Sequence, residues 1–173
     1  MWGELAAAGA TKILTFERDF ARPVEKVWAA LVTPTRISDW LCADAEVEPR
    51  AGGRFHLVFR NGPHIMSGVI TRFEPPHLLE YTWPESAANG HSIVRWDLSA
   101  IPAGTRLVLT HTLPAGGALA DFASGWHWHL DALADAVDGT ATPWNRAQWQ
   151  TLQSAYLTRL AEGFSGIAPS APG

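Results

Sequence analysis

The sequence predicts an α+β domain in which a curved antiparallel sheet is covered by one long amphipathic helix. Three observations predict it. Between residues 44 and 113, short runs alternate apolar with polar side chains, and the turn signals between them are close enough for hairpins rather than crossovers. Over 118–138 the pattern switches to a helical period. Nine tryptophans, seven phenylalanines and two tyrosines in 173 residues supply bulk to fill, or to line, the space between sheet and helix.

The elements follow in order. Residues 1–10 are small and aperiodic and read as a loose lead-in. Over 13–20, Leu14, Phe16 and Phe20 stand among polar neighbours as in a strand. Pro23 suits a first helical position, having no N–H to leave unpaired, and Val24, Val27, Trp28 and Leu31 follow at helical spacing. Thr33-Pro34 ends that helix, and a second short one carries Ile37 and Trp40. Residues 44–47 form a short strand, and Ala51-Gly52-Gly53 turns the chain. Phe55, Leu57 and Phe59 then alternate with Arg54, His56 and Arg60, and Asn61-Gly62 is a hairpin signal because both positions tolerate positive φ. A strand over 64–73 is stopped by Glu74-Pro75-Pro76. Leu79, Tyr81 and Trp83 face one way with Glu80 and Thr82 opposite, before a polar loop over 85–90. Val94, Trp96 and Leu98 make the next inner row, Pro102-Ala103-Gly104 turns, and Leu107, Leu109, His111 and Leu113 make the last.

That gives seven strands. Their apolar face must be covered, and the helix over 118–138 is the element sized for it, spanning ~31 Å at 1.5 Å per residue. Its stripe is Phe122, Trp126, His129 or Leu130, Leu133 and Val137, and Gly139 suits a left-handed cap. Thr142-Pro143 reads as the N-cap and first turn of a further helix, striped by Trp149, Leu152, Tyr156 and Leu160 and ending at Gly163, with a frayed tail. The main domain is thus expected over 11–138, followed by a C-terminal extension over 139–173.

Composition excludes several classes. Apolar residues at 47% and charged residues at 17%, against a typical ~25%, exclude disorder. Thirteen basic against 17 acidic residues give −4, so no basic surplus exists to neutralise phosphates and nucleic acid is not an expected partner. The single Cys42 excludes an internal disulfide and a cysteine-rich zinc site and reads as a packed thiol. No apolar run approaches the ~18 residues of a membrane helix, and the first residues lack the pattern of a signal peptide, so a cytoplasmic protein is expected.

Several segments in this order resemble one superfamily. Residues 20–31 (Phe-Ala-Arg-Pro-Val-Glu-Lys-Val-Trp-Ala-Ala-Leu) followed by Trp40-Leu41 resemble the opening of SRPBCC, or START-like, proteins. Gly52-Gly53-Arg54-Phe55, Gly68 through Phe73 with Pro75-Pro76, Leu79 through Trp83, and Gly104-Thr105-Arg106-Leu107 are similar to the branch related to the heat-shock protein 90 ATPase activator. Gly125-Trp126-His127-Trp128-His129-Leu130-Asp131 resembles the start of that branch's long helix. The resemblance covers roughly 11–138. It implies a helix-grip fold, a seven-strand sheet wrapped around the long helix with a pocket between them. It also implies a superfamily whose members bind lipids, sterols, polyketides and other apolar molecules, some of them cyclases or dehydratases.

The alternation turns Phe55, Leu57, Phe59, Leu79, Tyr81, Trp83, Val94, Trp96, Leu98, Leu109 and His111 toward Trp126, His129, Leu130 and Leu133 on the helix. Any one of them can simply fill the core; as a set of wide, flat side chains around a helix they favour a cavity for a small apolar or aromatic molecule. His111 stands among apolar positions, where an imidazole can orient a ligand or act as acid or base, and His129 has the same standing. Tyr81 and Arg72 are weaker candidates. His127 and His129 lie about 200° apart around a helix and cannot share a metal, whereas His127 and Asp131, four apart, can. Two ligands are too few for a catalytic zinc, so no metal is expected. Gly52-Gly53 and Gly116-Gly117 lack the context of a phosphate loop, and Ser124-Gly125 that of a nucleophile elbow. Trp144, Trp149 and Tyr156 either pack on the outside of the domain or form a dimer seam.

The leading expectation is cofactor-free binding of a small hydrophobic molecule by a monomer or homodimer. A cyclase- or dehydratase-type enzyme using His111 is the second, and a co-chaperone stimulating a heat-shock chaperone ATPase the third.

Overall fold

The computed structural model describes residues 1–8, 11–60, 64–84, 91–114 and 118–162. In chain order these form β1 (Glu4–Ala8), β2 (Thr11–Phe20), α1 (Val24–Val32), α2 (Pro34–Ile37), β3 (Asp44–Val47), β4 (Arg54–Val58), β5 (Ile65–Glu74), β6 (Leu78–Pro84), β7 (His91–Ile101), β8 (Gly104–Leu113), α3 (Leu119–Val137) and α4 (Arg146–Ala161). The strands make one antiparallel sheet in the order β1-β2-β8-β7-β6-β5-β4-β3. The helices α1 and α2 carry the chain from β2, near one edge, to β3 at the other. This is the helix-grip arrangement, with eight strands instead of seven.

The additional strand is β1, which corrects the reading of residues 1–10 as a loose lead-in. Glu4 pairs with Thr15 and Ala8 with Thr11, an antiparallel ladder supplied by the backbone, so small side chains with no apolar period carry no signal of it. Its entry is anchored: the Gly3 amide donates to the Tyr156 hydroxyl at 3.0 Å, and the Trp2 ring packs edge-on against His127 and Tyr156.

Register explains the core. Leu79 lies opposite Trp96 and Trp96 opposite Leu109, Tyr81 opposite Val94 and Val94 opposite His111, and Leu98 opposite Leu107, so one face carries three aligned inner rows. All of these are buried, and Trp126, Leu130 and Leu133 of α3 belong to the same core, with Trp126 packed edge-on to Trp96. Phe16 and Phe55, each 1% exposed, contribute about 1.5–3 kcal/mol apiece by leaving water. The opposite face carries ion pairs such as Arg95 with Asp97 at 2.6 Å and Glu80 at 3.7 Å, which stabilise little at a surface.

Turns and caps follow local chemistry. Gly104 closes the β7–β8 hairpin at φ 138°, where a Cβ would collide with the backbone of Phe20 and Arg22. At the end of α3, Thr140 N–H bonds the Asp135 carbonyl and Gly139 N–H the Ala136 carbonyl, with Gly139 at φ 92°. This is a Schellman closure at the glycine that the sequence marks. Pro23 is the N-cap of α1, one residue before the first-turn position expected of it, while Pro34 opens α2.

The N-cap of α4 is a correction: Asn145 Oδ1 accepts from Gln148 N–H at 3.1 Å, and Thr142 instead donates to Asp135 at 2.6 Å. An asparagine with a free amide three residues on outcompetes a threonine already engaged elsewhere. The Asn61-Gly62 turn, the 85–90 loop, Gly116-Gly117, the helix end at Gly163 and the tail lie outside the described residues. Among the described residues, no helix is long and apolar enough to cross a membrane.

Candidate functional site

A cleft of about 400 Å³ opens where the β4–β5 end of the sheet faces α3. Its walls come from separate parts of the chain: Ser38 to Cys42 after α2, Phe59 and Arg60 after β4, His64 to Met66 into β5, Trp83 and Pro84 at the end of β6, Trp128 and His129 on α3, and Thr142 and Trp144 beyond α3. A second space of about 100 Å³ adjoins it, sharing Leu41, Phe59, Trp83 and His129 and adding Phe122 and Trp126. Trp40 reaches this place because α2 is only one turn long; its indole N–H donates to the Ala30 carbonyl at 3.0 Å, and its ring stands edge-on to Trp96.

His129 is the polar group common to both spaces. Its ring sits among tryptophans, stacked on Trp144 at 5.7 Å and edge-on to Trp128 at 5.1 Å, with Trp40 and Trp126 each at 6.4 Å. Nδ1 lies 2.9 Å from the Trp40 carbonyl, an acceptor only, so Nδ1 carries the proton. Nε2 then holds a lone pair. It has no partner among the described residues, and it is not sealed from solvent. Burial pulls the imidazole pKa down to about 4, partly offset by that backbone bond, so the ring is neutral near pH 7.

Among the described residues, the charged side chains lining the cleft are Asp39 and Arg60, one of each sign. Arg60 is held at the rim by donating to the Ser38 carbonyl at 2.7 Å and the Cys42 carbonyl at 3.1 Å. Cys42 Sγ points to the Asp44 carbonyl at 3.2 Å, and burial pushes its pKa up to about 11, which leaves an unreactive thiol.

His111 is different. Its Nδ1 accepts the Trp126 indole N–H at 2.9 Å, so its proton sits on Nε2 and goes to Ser92 Oγ at 2.8 Å; Ser92 donates onward to the Trp83 carbonyl at 3.1 Å. Both ring nitrogens are spent inside the protein, the residue is fully buried, and desolvation lowers its pKa to about 3. A general acid or base needs a ring nitrogen within reach of substrate, and this one has none.

Of the residues the alternation turns inward, Phe59, Trp83, Trp126 and His129 line the open spaces. Phe55, Leu57, Leu79, Tyr81, Val94, Trp96, Leu98, Leu109, His111, Leu130 and Leu133 line neither and fill the core. Phe55 stacks on Tyr81 at 4.1 Å, and the Tyr81 hydroxyl takes the Trp96 indole N–H at 3.2 Å. Arg72 is an outer-face residue paired with Glu74 at 2.6 Å.

Sequence reading missed Trp40, Leu41, Met66, Trp128 and Trp144 as lining residues; the high tryptophan content is the signal that bears on them. Trp144, expected on the outside of the domain or in a dimer seam, stands in the cleft wall, whereas Tyr156 is buried under the N-terminal strand. His127 Nε2 lies 3.7 Å from Asp131, and among the described residues no three His, Cys, Asp or Glu side chains converge.

Residues 21–138 match the family model described as activator of Hsp90 ATPase homolog 1-like protein. No curated protein matches the chain. Among solved structures, CalU16 of Micromonospora echinospora is 26% identical at a TM-score of 0.68, over 92% of this chain and 96% of that one. A Bordetella parapertussis protein is 29% identical at a TM-score of 0.70, over 91% and 92%. A conserved protein of unknown function from Enterococcus faecalis, 18% identical, shares the fold at a TM-score of 0.73 over 92% and 91%.

Proposed function

The chain belongs to the activator of Hsp90 ATPase homolog 1-like family, and from that premise we propose that it binds a small, flat, apolar molecule in the cleft between the β4–β5 end of the sheet and α3. One observation carries this reading. The cleft, at about 400 Å³, falls in the ~300–1,000 Å³ range of small-molecule sites and has their make-up, aromatic walls with few polar groups. Four tryptophans and Phe59 provide flat surfaces, and His129 provides the polar contact. The acidic balance of the chain argues for a small-molecule partner over nucleic acid.

Native mass spectrometry of freshly purified protein, with solvent extraction of whatever is released, tests the reading directly. A defined small molecule at one-to-one stoichiometry is expected. Titration with flat aromatic probes should also change tryptophan fluorescence, and Trp144→Ala, which removes one wall, should weaken binding about tenfold. A protein that is empty as isolated and unresponsive to such probes overturns the proposal.

The unbonded His129 Nε2 favours a second reading, an enzyme of the cyclase or dehydratase kind in the same cleft, with His129 as base instead of His111. Turnover of a bound compound, lost about 10²–10⁴-fold in His129→Phe while binding is largely kept, would select it.

A further inference from the structure

We infer that the ligand of this cleft is an uncharged aromatic molecule that presents a hydroxyl or N–H donor to His129 Nε2. The inference rests on the cleft being the binding site and specifies the chemistry of its occupant.

The Trp40 carbonyl can only accept, and it lies 2.9 Å from His129 Nδ1, so the neutral ring must carry its hydrogen there. A neutral imidazole has one hydrogen, which makes Nε2 an acceptor and nothing else. Every contact His129 makes with the described residues is accounted for by its Nδ1 bond and its ring stacking, and Nε2 is not among the sealed polar atoms. The open space around His129 is the cleft and its annex. A group placed there must therefore donate. A carboxylate or an ether oxygen would meet the lone pair with lone pairs of its own, and the cost of leaving both unpaired exceeds the value of an ordinary hydrogen bond.

Charge leads to the same class of molecule. Asp39 and Arg60 offset each other in the lining, and two of the Arg60 donors are committed to the Ser38 and Cys42 carbonyls. Among the described lining residues, no net charge selects for an ion. The tryptophans around His129 select for flat rings.

Three probes of one shape test this on the intact protein: naphthol, its methyl ether and naphthoate, titrated by tryptophan fluorescence and calorimetry. Naphthol is expected to bind about fivefold to tenfold more tightly than the ether, with naphthoate weaker than naphthol, and the naphthol–ether gap should vanish in His129→Phe. Nitrogen-15 shifts of His129 in the wild-type protein provide a readout independent of any variant, and should show a protonated Nδ1 and an unprotonated Nε2. Equal binding of naphthol and ether, tighter binding of naphthoate, or a proton on Nε2 would each overturn the inference while leaving the cleft as a binding site. Failure of all three probes to bind would remove the cleft reading, and this inference with it.

Discussion

His111 on β8 and His129 on α3 both stand between sheet and helix, both neutral and both desolvated, yet they hold opposite tautomers and different fates. At the closed centre of the sheet, His111 accepts from Trp126 and donates to Ser92, completing a chain that ends on the Trp83 carbonyl. At the open end, His129 donates to the Trp40 carbonyl and leaves its other nitrogen unbonded beside a cleft. Burial alone therefore does not mark a functional histidine. What separates the two is whether the protein has already satisfied both nitrogens, since a fully paired polar network stiffens a core and an unpaired atom beside open space is available to a ligand.

The paired histidine, His111, should matter most for stability. Replacing His111 by Phe keeps a ring but strands the Trp126 indole N–H in the core and takes a donor away from Ser92 Oγ, and should destabilise the protein by about 1–3 kcal/mol in denaturant unfolding. If that variant unfolds at the wild-type midpoint, the network is not structural.

Acid should act through both residues. Each folded-state pKa is depressed, to about 3 for His111 and about 4 for His129, against ~6.5 in an unfolded chain. Between about pH 6.5 and 4 the unfolded chain binds the extra protons, so stability is complete above about 6.5. It then falls by about 1.4 kcal/mol per pH unit for each histidine as the pH drops. Below about pH 4 only His111 keeps contributing, down to about 3. In His111→Phe the slope between about pH 6.5 and 4 should be smaller than in the wild type by about 1.4 kcal/mol per pH unit.

A third histidine sharpens the comparison. His127 Nδ1 lies 3.0 Å from the Tyr156 hydroxyl, which also accepts the Gly3 amide. Tyr156→Phe should lose about 1–2 kcal/mol, with faster amide exchange at Gly3 and along β1, because the hydroxyl ties the added edge strand to α3 and α4. Unchanged exchange there would show that β1 is held by its ladder alone. The smallest stability change is expected of His129→Phe, about 1 kcal/mol for one backbone hydrogen bond, so that its effect is read in ligand binding instead.

Much of the fold was legible because alternation and helical period report directly which way a side chain points. Leu79, Tyr81, Val94, Trp96, Leu98, Leu109 and His111 are all buried on the inner face of the sheet, and the helix stripe, the hairpin at Gly104 and the cap at Gly139 lie where local chemistry puts them. β1 was not legible, because a strand held by backbone pairing to β2 needs no pattern of its own. The cap of α4 was misread for a related reason: Thr142 and Asn145 are both competent caps, and the bond from Thr142 to Asp135 settles which is used.

The site divides in the same way. Alternation and helical period alone require that an apolar, aromatic face and a covering helix meet, and that histidines stand among those aromatics, because side-chain direction is a local property with a period of two or 3.6 residues. It took the packing of distant segments to seal Phe55, Leu57 and Trp96 in the core while Phe59, Trp83, Trp126 and His129 border open space, and to bring Trp40 and Trp144 into its wall. Direction says which surface a residue joins. How far away the opposing surface lies, and which of its atoms are already bonded, depends on where the helix crosses the sheet and on residues distant in the chain.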